Sequence, residues 1–216
     1  MAAGKGTRFK SPLPKQFLEL NGKPVLLHTL EAFYRYSARI EIILVLPEDQ
    51  FSVWLELTKK YSFNRKLTLQ SGGHSRFESV RRGLEKITGE GLVAIHDGVR
   101  PLVTPELIGA SFRNAAIHGS AICAIPLKES LRRMDASGTE AVDRSAFRLI
   151  QTPQTFQLSL IREAYKGQEF SDATDDATVL ERAGHKVFLL EGRYDNLKIT
   201  TPEDLVIAEA LVRHRL

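Results

Sequence analysis

The feature that most constrains the fold of this chain is a regular alternation of short β-branched runs and longer amphipathic segments. The runs that predict strands are 40–46, 66–70, 92–96, 120–125 and 186–190. The segments that predict helices are 24–36, 48–61, 75–87, 105–118 and 202–213. Strands and helices that alternate at this spacing form a mostly parallel sheet with helices on both faces, so we expect an α/β fold.

In such a sheet, ligands bind where loops meet at the carboxyl ends of the strands. Two polar loops follow predicted strands, Gly-Gly-His-Ser-Arg at 72–76 and His-Asp-Gly-Val-Arg-Pro at 96–101. We therefore expect both loops to border one site.

The first fifteen residues predict a phosphate-binding loop. Gly4 and Gly6 let backbone N–H groups approach phosphate oxygens, and Lys5, Arg8 and Lys15 add positive charge. The loop is not a Walker A motif, because Lys-Ser or Lys-Thr does not follow its last glycine. It is not a dinucleotide fingerprint either, since an aromatic residue fills the third glycine position. The pattern favours a nucleoside triphosphate.

Acidic residues in two loops are candidate metal ligands. Asp97 follows a strand, precedes a glycine and lies three residues before Arg100. Asp195 can supply a second carboxylate, and Mg²⁺ commonly takes one or two carboxylates together with substrate phosphates. The alternative for a single aspartate is an Asx turn or a helix cap.

Other polar segments have structural interpretations. Thr174, Asp175 and Asp176 fit a helix N-cap followed by acids in the first turn. The run 151–156 is interpreted as a turn. Histidines show no metal-ligand spacing, and we expect the one cysteine, Cys123, to be a buried thiol because its neighbours are apolar.

We expect one domain over 1–216, with 127–149 as an arm. This charged segment carries a turn signal at 135–138, which predicts a projecting β-hairpin. Such an arm packs against a second subunit, or else it is a mobile surface loop.

The net charge of +4 is mildly basic, and the chain is 43% hydrophobic and 26% charged, as ordinary globular proteins are. The basic residues form no dense stripe of the kind that nucleic-acid binders show. The chain begins without an apolar segment of the secretory type, so we expect a cytoplasmic location.

Taken in order, these motifs resemble one family, the 2-C-methyl-D-erythritol 4-phosphate cytidylyltransferases of the non-mevalonate isoprenoid pathway. The resemblance covers essentially the whole chain. Its matching segments are 2–8, 14–18, 22–26, 72–80, 96–101, 152–154, 174–177 and 196–205.

The resemblance implies a Rossmann-like α/β fold of the nucleotide-diphospho-sugar transferase type, with a hairpin arm that forms a homodimer. It implies an enzyme that joins CTP to methylerythritol phosphate and uses Mg²⁺, with no nucleic-acid or membrane partner. The implied catalytic residues are Arg8, Lys15, Asp97 and Lys198. The implied nucleotide-binding residues are Ala2, Ala3, Gly4, Gly6, Gly73, His74 and Ser79.

For the second substrate the resemblance implies contacts from Asp97, Arg100, Arg144, Thr152, Thr174, Asp195 and Lys198. Arg144 and Thr152 would approach the partner subunit's site, and Asp97 and Asp195 would hold the metal.

The chain departs from the family pattern at two places. His74 stands where an acidic residue is common, so cytosine recognition there would depend on backbone groups. The apolar strand that the family places before Ala2 is not in the sequence. We expect it to lie upstream of the recorded start, or another segment to fill its position in the sheet.

Three other functions compete with this one. The nearest is a ribitol-5-phosphate cytidylyltransferase, although 2–4 and 174–177 look more like the methylerythritol enzyme. A sugar-1-phosphate nucleotidyltransferase shares the glycine–lysine opening but leaves 152–154 unexplained. A non-catalytic nucleotide- or RNA-binding module predicts binding without turnover and a steep salt dependence.

Overall fold

The computed structural model describes residues 1–4, 13–167, 170 and 173–214. Its helices are α1 (Val25–Tyr36), α2 (Phe51–Lys60), α3 (Arg76–Glu85), α4 (Pro105–His118), α5 (Leu158–Lys166), α6 (Asp176–Arg182) and α7 (Pro202–His214). Its strands are β1 (Glu19–Leu20), β2 (Lys23–Pro24), β3 (Ile43–Leu46), β4 (Thr68–Ser71), β5 (Leu92–Ile95), β6 (Ser120–Pro126), β7 (Leu131–Asp135), β8 (Gly138–Val142), β9 (Arg148–Gln157) and β10 (Leu189–Glu191).

The predicted α/β class is confirmed, and every predicted helix and strand overlaps an observed one. Helix starts follow the sequence signals. The hydroxyl of Thr104 accepts a hydrogen bond from the Leu107 N–H at the start of α4, and Ser75 caps α3 in the same way. Cys123 is buried, as expected.

The larger sheet is mixed, which differs from the mostly parallel sheet that the alternation predicts. Its order is β10-β6-β9-β5, and β9 runs antiparallel to both β5 and β6. The pairs β10–β6 and β3–β4 are parallel. The segment 151–156 is thus the buried part of a central strand, so its interpretation as a turn is wrong.

Buried hydrogen bonds explain why this polar segment forms a strand. The amide of Gln151 donates to the carbonyl of Arg193 at 2.9 Å, and the hydroxyl of Thr155 donates to the Ser111 hydroxyl at 2.9 Å. A buried polar side chain costs little when it is hydrogen-bonded, so glutamine and threonine can occupy the interior of a sheet.

The larger sheet and the β3–β4 pair meet through the first residues of the chain. The Ala2 N–H donates to the Val45 carbonyl at 2.9 Å, and the Gly98 N–H donates to the Met1 carbonyl at 2.8 Å. Behind Met1 lies a cavity of about 490 Å³, lined by residues of β3 and β5. Among the described residues, no strand lies between β3 and β5.

Two apolar clusters pack on opposite parts of this framework. One contains Phe77, Phe156 and Tyr165, and the other contains Phe17 and Trp54. They hold α3 and α5 against the larger sheet, and α1 and α2 against β3. The loops at the carboxyl ends of β3, β4 and β5 therefore start from rigid elements.

The segment 127–149 contains an antiparallel hairpin, β7 with β8, in which Asp135 pairs with Gly138 at the turn. Most of its residues are exposed. At the base of this hairpin, the ammonium of Lys128 lies 3.8 Å from the centre of the Tyr194 ring. None of the described helices combines the length and the apolar character that crossing a membrane requires.

Candidate active site

Loop 72–74, which follows β4, forms one side of a cavity. This cavity has a volume of about 460 Å³ and is lined by Ala3, Pro47, Glu48, Asp49, Gln50, Gly72, Gly73, His74 and Arg82. We call the group Ala3, Gly72, Gly73, His74 and Arg82 the glycine half of the site. A Cβ atom on Gly72 would lie 2.8 Å from the Ala3 Cβ, so glycine is needed where the N-terminal residues pass this loop.

Side chains of α3 form hydrogen bonds with the backbone of loop 72–74 in the glycine half. The Gly73 N–H donates to the Ser79 hydroxyl at 2.9 Å, and the His74 N–H donates to Glu78 Oε2 at 2.7 Å. Glu78 Oε1 accepts from Arg82 at 2.6 Å, and Arg82 also donates to the Gly72 carbonyl at 2.8 Å. The loop is therefore fixed by its own helix.

The second group of polar residues surrounds the loop that follows β5. Lys198 Nζ lies 2.9 Å and Arg100 Nε 3.6 Å from Asp97 Oδ2. The Asp97 N–H donates to the hydroxyl of Thr152 at 3.0 Å. We call Asp97, Arg100, Thr152 and Lys198 the charged half. The structure thus brings together residues from three segments that are far apart in the sequence.

Asn196 joins the segments of the charged half. Its side-chain amide donates to the Thr152 carbonyl at 2.8 Å, and its backbone carbonyl accepts from Arg100 at 2.7 Å. The Ile199 N–H donates to the Val99 carbonyl at 2.9 Å. The loop that carries Lys198 is therefore fastened to the loop that carries Asp97.

Burial and charge set the protonation of this group. Burial alone would raise the pKa of Asp97, but Lys198 and Arg100 outweigh it and hold that pKa well below its usual range. Burial lowers the pKa of His96 to about 3, so its imidazole is neutral at pH 7. Asp97 is accordingly a carboxylate, flanked by two cations, at neutral pH.

A partly buried ion pair holds the first residue of α6. Arg76 contacts both oxygens of Asp176, at 2.7 and 2.6 Å, and the Tyr165 hydroxyl donates to Asp176 Oδ1 at 2.6 Å. Gln154 Oε1 accepts from the Asp176 N–H at 3.0 Å. The Asp175 side chain caps α6, one residue later than the predicted cap at Thr174, and Asp176 is the acid of the first turn.

Several of these residues were not identified from the sequence as part of the site. Arg76 and Asp176 are one hundred residues apart, and an acid in a first turn indicates only a cap. For Glu78 a signal exists, because Ser75 and Glu78 have the spacing of a capping box. The observed carboxylate takes the His74 N–H rather than that of Ser75.

The other predicted site residues have these positions. Gly6 and Arg8 lie outside the described residues. Ala2 is buried, and its carbonyl accepts from Gln16 at 3.0 Å. Gly4 is exposed. Lys15 begins a short 3-10 helix, Lys15–Phe17.

Three further predicted residues belong to neither half of the site. Thr174 is exposed just before the Asp175 cap. Asp195 accepts two hydrogen bonds from Arg193, at 2.9 Å each. Arg144 is exposed beside the hairpin and donates to the Lys128 carbonyl. Its described contact is therefore with the base of the hairpin.

The aspartates suit a hard cation. Within the described residues, no group of three or more His, Cys, Asp or Glu side chains forms a metal cage. A protein cage is not needed for Mg²⁺, which keeps several waters and binds through one or two carboxylates and substrate phosphates. Asp97 Oδ1 accepts from no described side chain, so this carboxylate keeps an oxygen for a cation, whereas both oxygens of Asp195 accept from Arg193.

Comparisons with known proteins agree with this arrangement. The family model for IspD, 2-C-methyl-D-erythritol 4-phosphate cytidylyltransferase, matches residues 1–214. A protein of that name from Bacteroides fragilis is 47% identical over 213 residues, which cover 98% of this chain and 97% of the relative. One from Porphyromonas gingivalis is 44% identical over 214 residues, covering 98% of this chain and 95% of the relative.

Solved structures give the same result. The 4-diphosphocytidyl-2C-methyl-D-erythritol synthase of Anaerococcus prevotii superposes with a TM-score of 0.84 at 31% identity, over 98% of this chain and 93% of that one. The cytidylyltransferase of Thermus thermophilus has a TM-score of 0.76 at 34% identity, over 98% and 96%. The chain belongs to the 2-C-methyl-D-erythritol 4-phosphate cytidylyltransferase family.

Proposed function

We propose that this chain joins CTP to 2-C-methyl-D-erythritol 4-phosphate, giving 4-diphosphocytidyl-2-C-methyl-D-erythritol and pyrophosphate for isoprenoid precursor synthesis. The observation that carries this proposal is the family match over residues 1–214. The site supports it, since a cavity with a glycine-rich wall and a cluster of two cations with a carboxylate lie on either side of Met1 to Ala3.

The reaction is an attack by one anion on another. A phosphate oxygen of the alcohol phosphate forms a bond to the α-phosphorus of CTP, and the bond from that phosphorus to the β-phosphate oxygen breaks. The attacking oxygen is already ionised, so no general base is needed. The protein must position the two anions and stabilise the negative charge that develops between them.

The charged half suits the alcohol phosphate. Arg100 and Lys198 can pair with phosphate oxygens, and the carboxylate of Asp97 can accept hydrogen bonds from hydroxyl groups. Thr152 and Asn196 fix the position of Asp97 and Arg100. On the other side, Lys15 and Arg8 are assigned to the triphosphate, and Ala3, Gly73, His74 and Ser79 to the cytosine.

Mg²⁺ is part of the proposal, with Asp97 and Asp195 as its protein ligands. When bound, the ion neutralises charge on the triphosphate and on the departing pyrophosphate. Asp97 also keeps Lys198 and Arg100 in place, which is a role of the protein alone.

A homodimer formed through the segment 127–149 is also proposed. Its support is the exposed hairpin β7–β8 and exposed apolar side chains, Met134, Phe147 and Leu149, in or beside it. Sedimentation tests it: Phe147→Glu should shift the chain toward monomer, whereas Tyr36→Glu, at an exposed position on α1, should not. A cytoplasmic location completes the proposal, in agreement with the buried single cysteine.

A pyrophosphate-release assay tests the function. We expect turnover to require CTP, methylerythritol phosphate and Mg²⁺ together, and to be far slower with UTP or ATP. Faster turnover with ribitol 5-phosphate would instead favour the related cytidylyltransferase. Binding of CTP or RNA without any pyrophosphate release would indicate the non-catalytic module.

A further inference from the structure

The glycine half contains a hydrogen-bond pattern that bears on which base the site accepts. Both N–H donors at the tip of loop 72–74 are used inside the protein, that of Gly73 by Ser79 and that of His74 by Glu78. The Gly72 carbonyl accepts from Arg82. The carbonyls of Gly73 and His74 accept from none of the described residues. The backbone groups that remain at this tip are therefore acceptors.

Acceptors distinguish the two pyrimidines. Cytosine carries an amino group, a donor, at the position where uracil carries a carbonyl, an acceptor. A carbonyl facing carbonyls leaves buried polar groups unpaired, and a site built around a hydrogen bond rejects the analogue that lacks it. A free N–H at the same place would reduce this discrimination, because it can donate to the uracil carbonyl.

Glu78 and Arg82 keep the N–H of His74 out of reach. A Cβ atom on Gly73 would lie 2.4 Å from the Glu78 side chain, so this carboxylate is packed directly against the loop. Arg82 holds Glu78 at 2.6 Å and the Gly72 carbonyl at 2.8 Å. The hydrogen bond from His74 and the neighbouring Arg82 lower the pKa of Glu78, so the carboxylate stays ionised at neutral pH.

We propose that Glu78 and Arg82 are positioning residues that set selectivity for cytosine over uracil: Glu78, held by Arg82, occupies the His74 N–H, so that the loop offers the Gly73 and His74 carbonyls to the base. The inference rests on the proposed function, in which this cavity takes the base of CTP. It deepens that function, because neither residue contacts the reacting atoms.

The experiment compares kcat/KM for CTP and for UTP, at saturating methylerythritol phosphate, in Glu78→Ala, Arg82→Ala and the parent chain. Arg81→Ala is the matched control, because Arg81 is the exposed neighbour on the same helix. We expect the CTP-to-UTP ratio to fall about ten-fold in Glu78→Ala and about three-fold in Arg82→Ala, the scale of one hydrogen bond to a charged group and of a weaker one. The KM for methylerythritol phosphate should not change.

Glu78→Gln should keep part of the ratio, because its amide oxygen can still accept from the His74 N–H. A purely structural role would lower both nucleotide activities together and leave the ratio unchanged. If Glu78→Ala does not fold, Arg82→Ala decides. A ratio equal to that of Arg81→Ala in the folded variants would overturn the inference, whereas a parent chain inactive with CTP would contradict the proposed function itself.

Discussion

The two halves of the site differ in the groups that they present to a ligand. The glycine half relies on backbone groups, and side chains of α3 hold them from behind. The charged half presents side chains directly, two cations and a carboxylate drawn from loops about one hundred residues apart. This contrast fits the two ligands. A flat base is distinguished by its hydrogen-bonding edge, whereas a phosphorylated alcohol is distinguished by charge and hydroxyl groups.

The largest effect should come from removing a cation assigned to the triphosphate, because this cation stabilises charge that develops when the two substrates react. We expect Lys15→Ala to lower kcat by ~10²-fold or more, the scale of losing one preorganised donor to a transition-state charge. Steady-state pyrophosphate release measures it, with Lys23→Ala as control because Lys23 pairs with Glu31 at the surface. Near-normal turnover by folded Lys15→Ala would remove this residue from the mechanism.

A change at Asp97 in the charged half should affect the alcohol phosphate more than CTP, because Asp97 reaches the triphosphate only through the proposed Mg²⁺. Asp97→Asn leaves Lys198 and Arg100 without their carboxylate, so we expect kcat/KM for methylerythritol phosphate to fall roughly 30-fold. The KM for CTP should change much less. Asp135→Asn, at the hairpin turn, is the control. Equal losses for both substrates would break the distinction between the halves.

The reciprocal change is Gly73→Ala in the glycine half. The added Cβ would lie 2.4 Å from Glu78, so loop or side chain must move, at a cost of about 1–3 kcal/mol. We expect the KM for CTP to rise about ten-fold while that for methylerythritol phosphate stays constant. Gly89→Ala, with open space around its Cβ but also a positive φ, controls for general strain. An unchanged KM for CTP would place the base elsewhere.

The smallest effect concerns stability and pH. The pKa of folded Asp97 lies below its unfolded value, so its contribution is present above about pH 4 and is lost as the pH falls toward the folded pKa. Urea unfolding should show the parent chain about 1–2 kcal/mol more stable than Asp97→Asn between pH 5 and 8. This difference should shrink below about pH 4. A difference that grows in acid would contradict the depressed pKa.

The sequence predicts part of the site well. Loops at the carboxyl ends of neighbouring strands converge, and Gly72 and Gly98, in the two loops predicted to border one site, both lie against residues 1–3. The position of Lys198 came only from the family resemblance, because no local pattern marks a lysine that meets a carboxylate from a distant loop.

What escaped prediction has physical causes. β9 is rich in glutamine and threonine, and only their buried partners, such as Ser111, make them suitable for a central strand. The ion pair of Arg76 with Asp176 links residues one hundred positions apart, which periodicity cannot detect. By contrast, Glu78 and Arg82 are four residues apart on one helix, so that contact could have been predicted.

β9 has a mechanical consequence. Its first residues, from Arg148, are exposed beside the hairpin, and its middle carries Thr152, whose hydroxyl holds Asp97. At ~3.3 Å per residue, these two points are roughly 13 Å apart along one continuous strand. β9 pairs with β6 from Arg148 to Ile150, and the register then shifts over 151–153, where Thr152 lies. A displacement at the hairpin is therefore carried along β9 but has to pass this irregularity before it reaches the hydroxyl that holds the carboxylate.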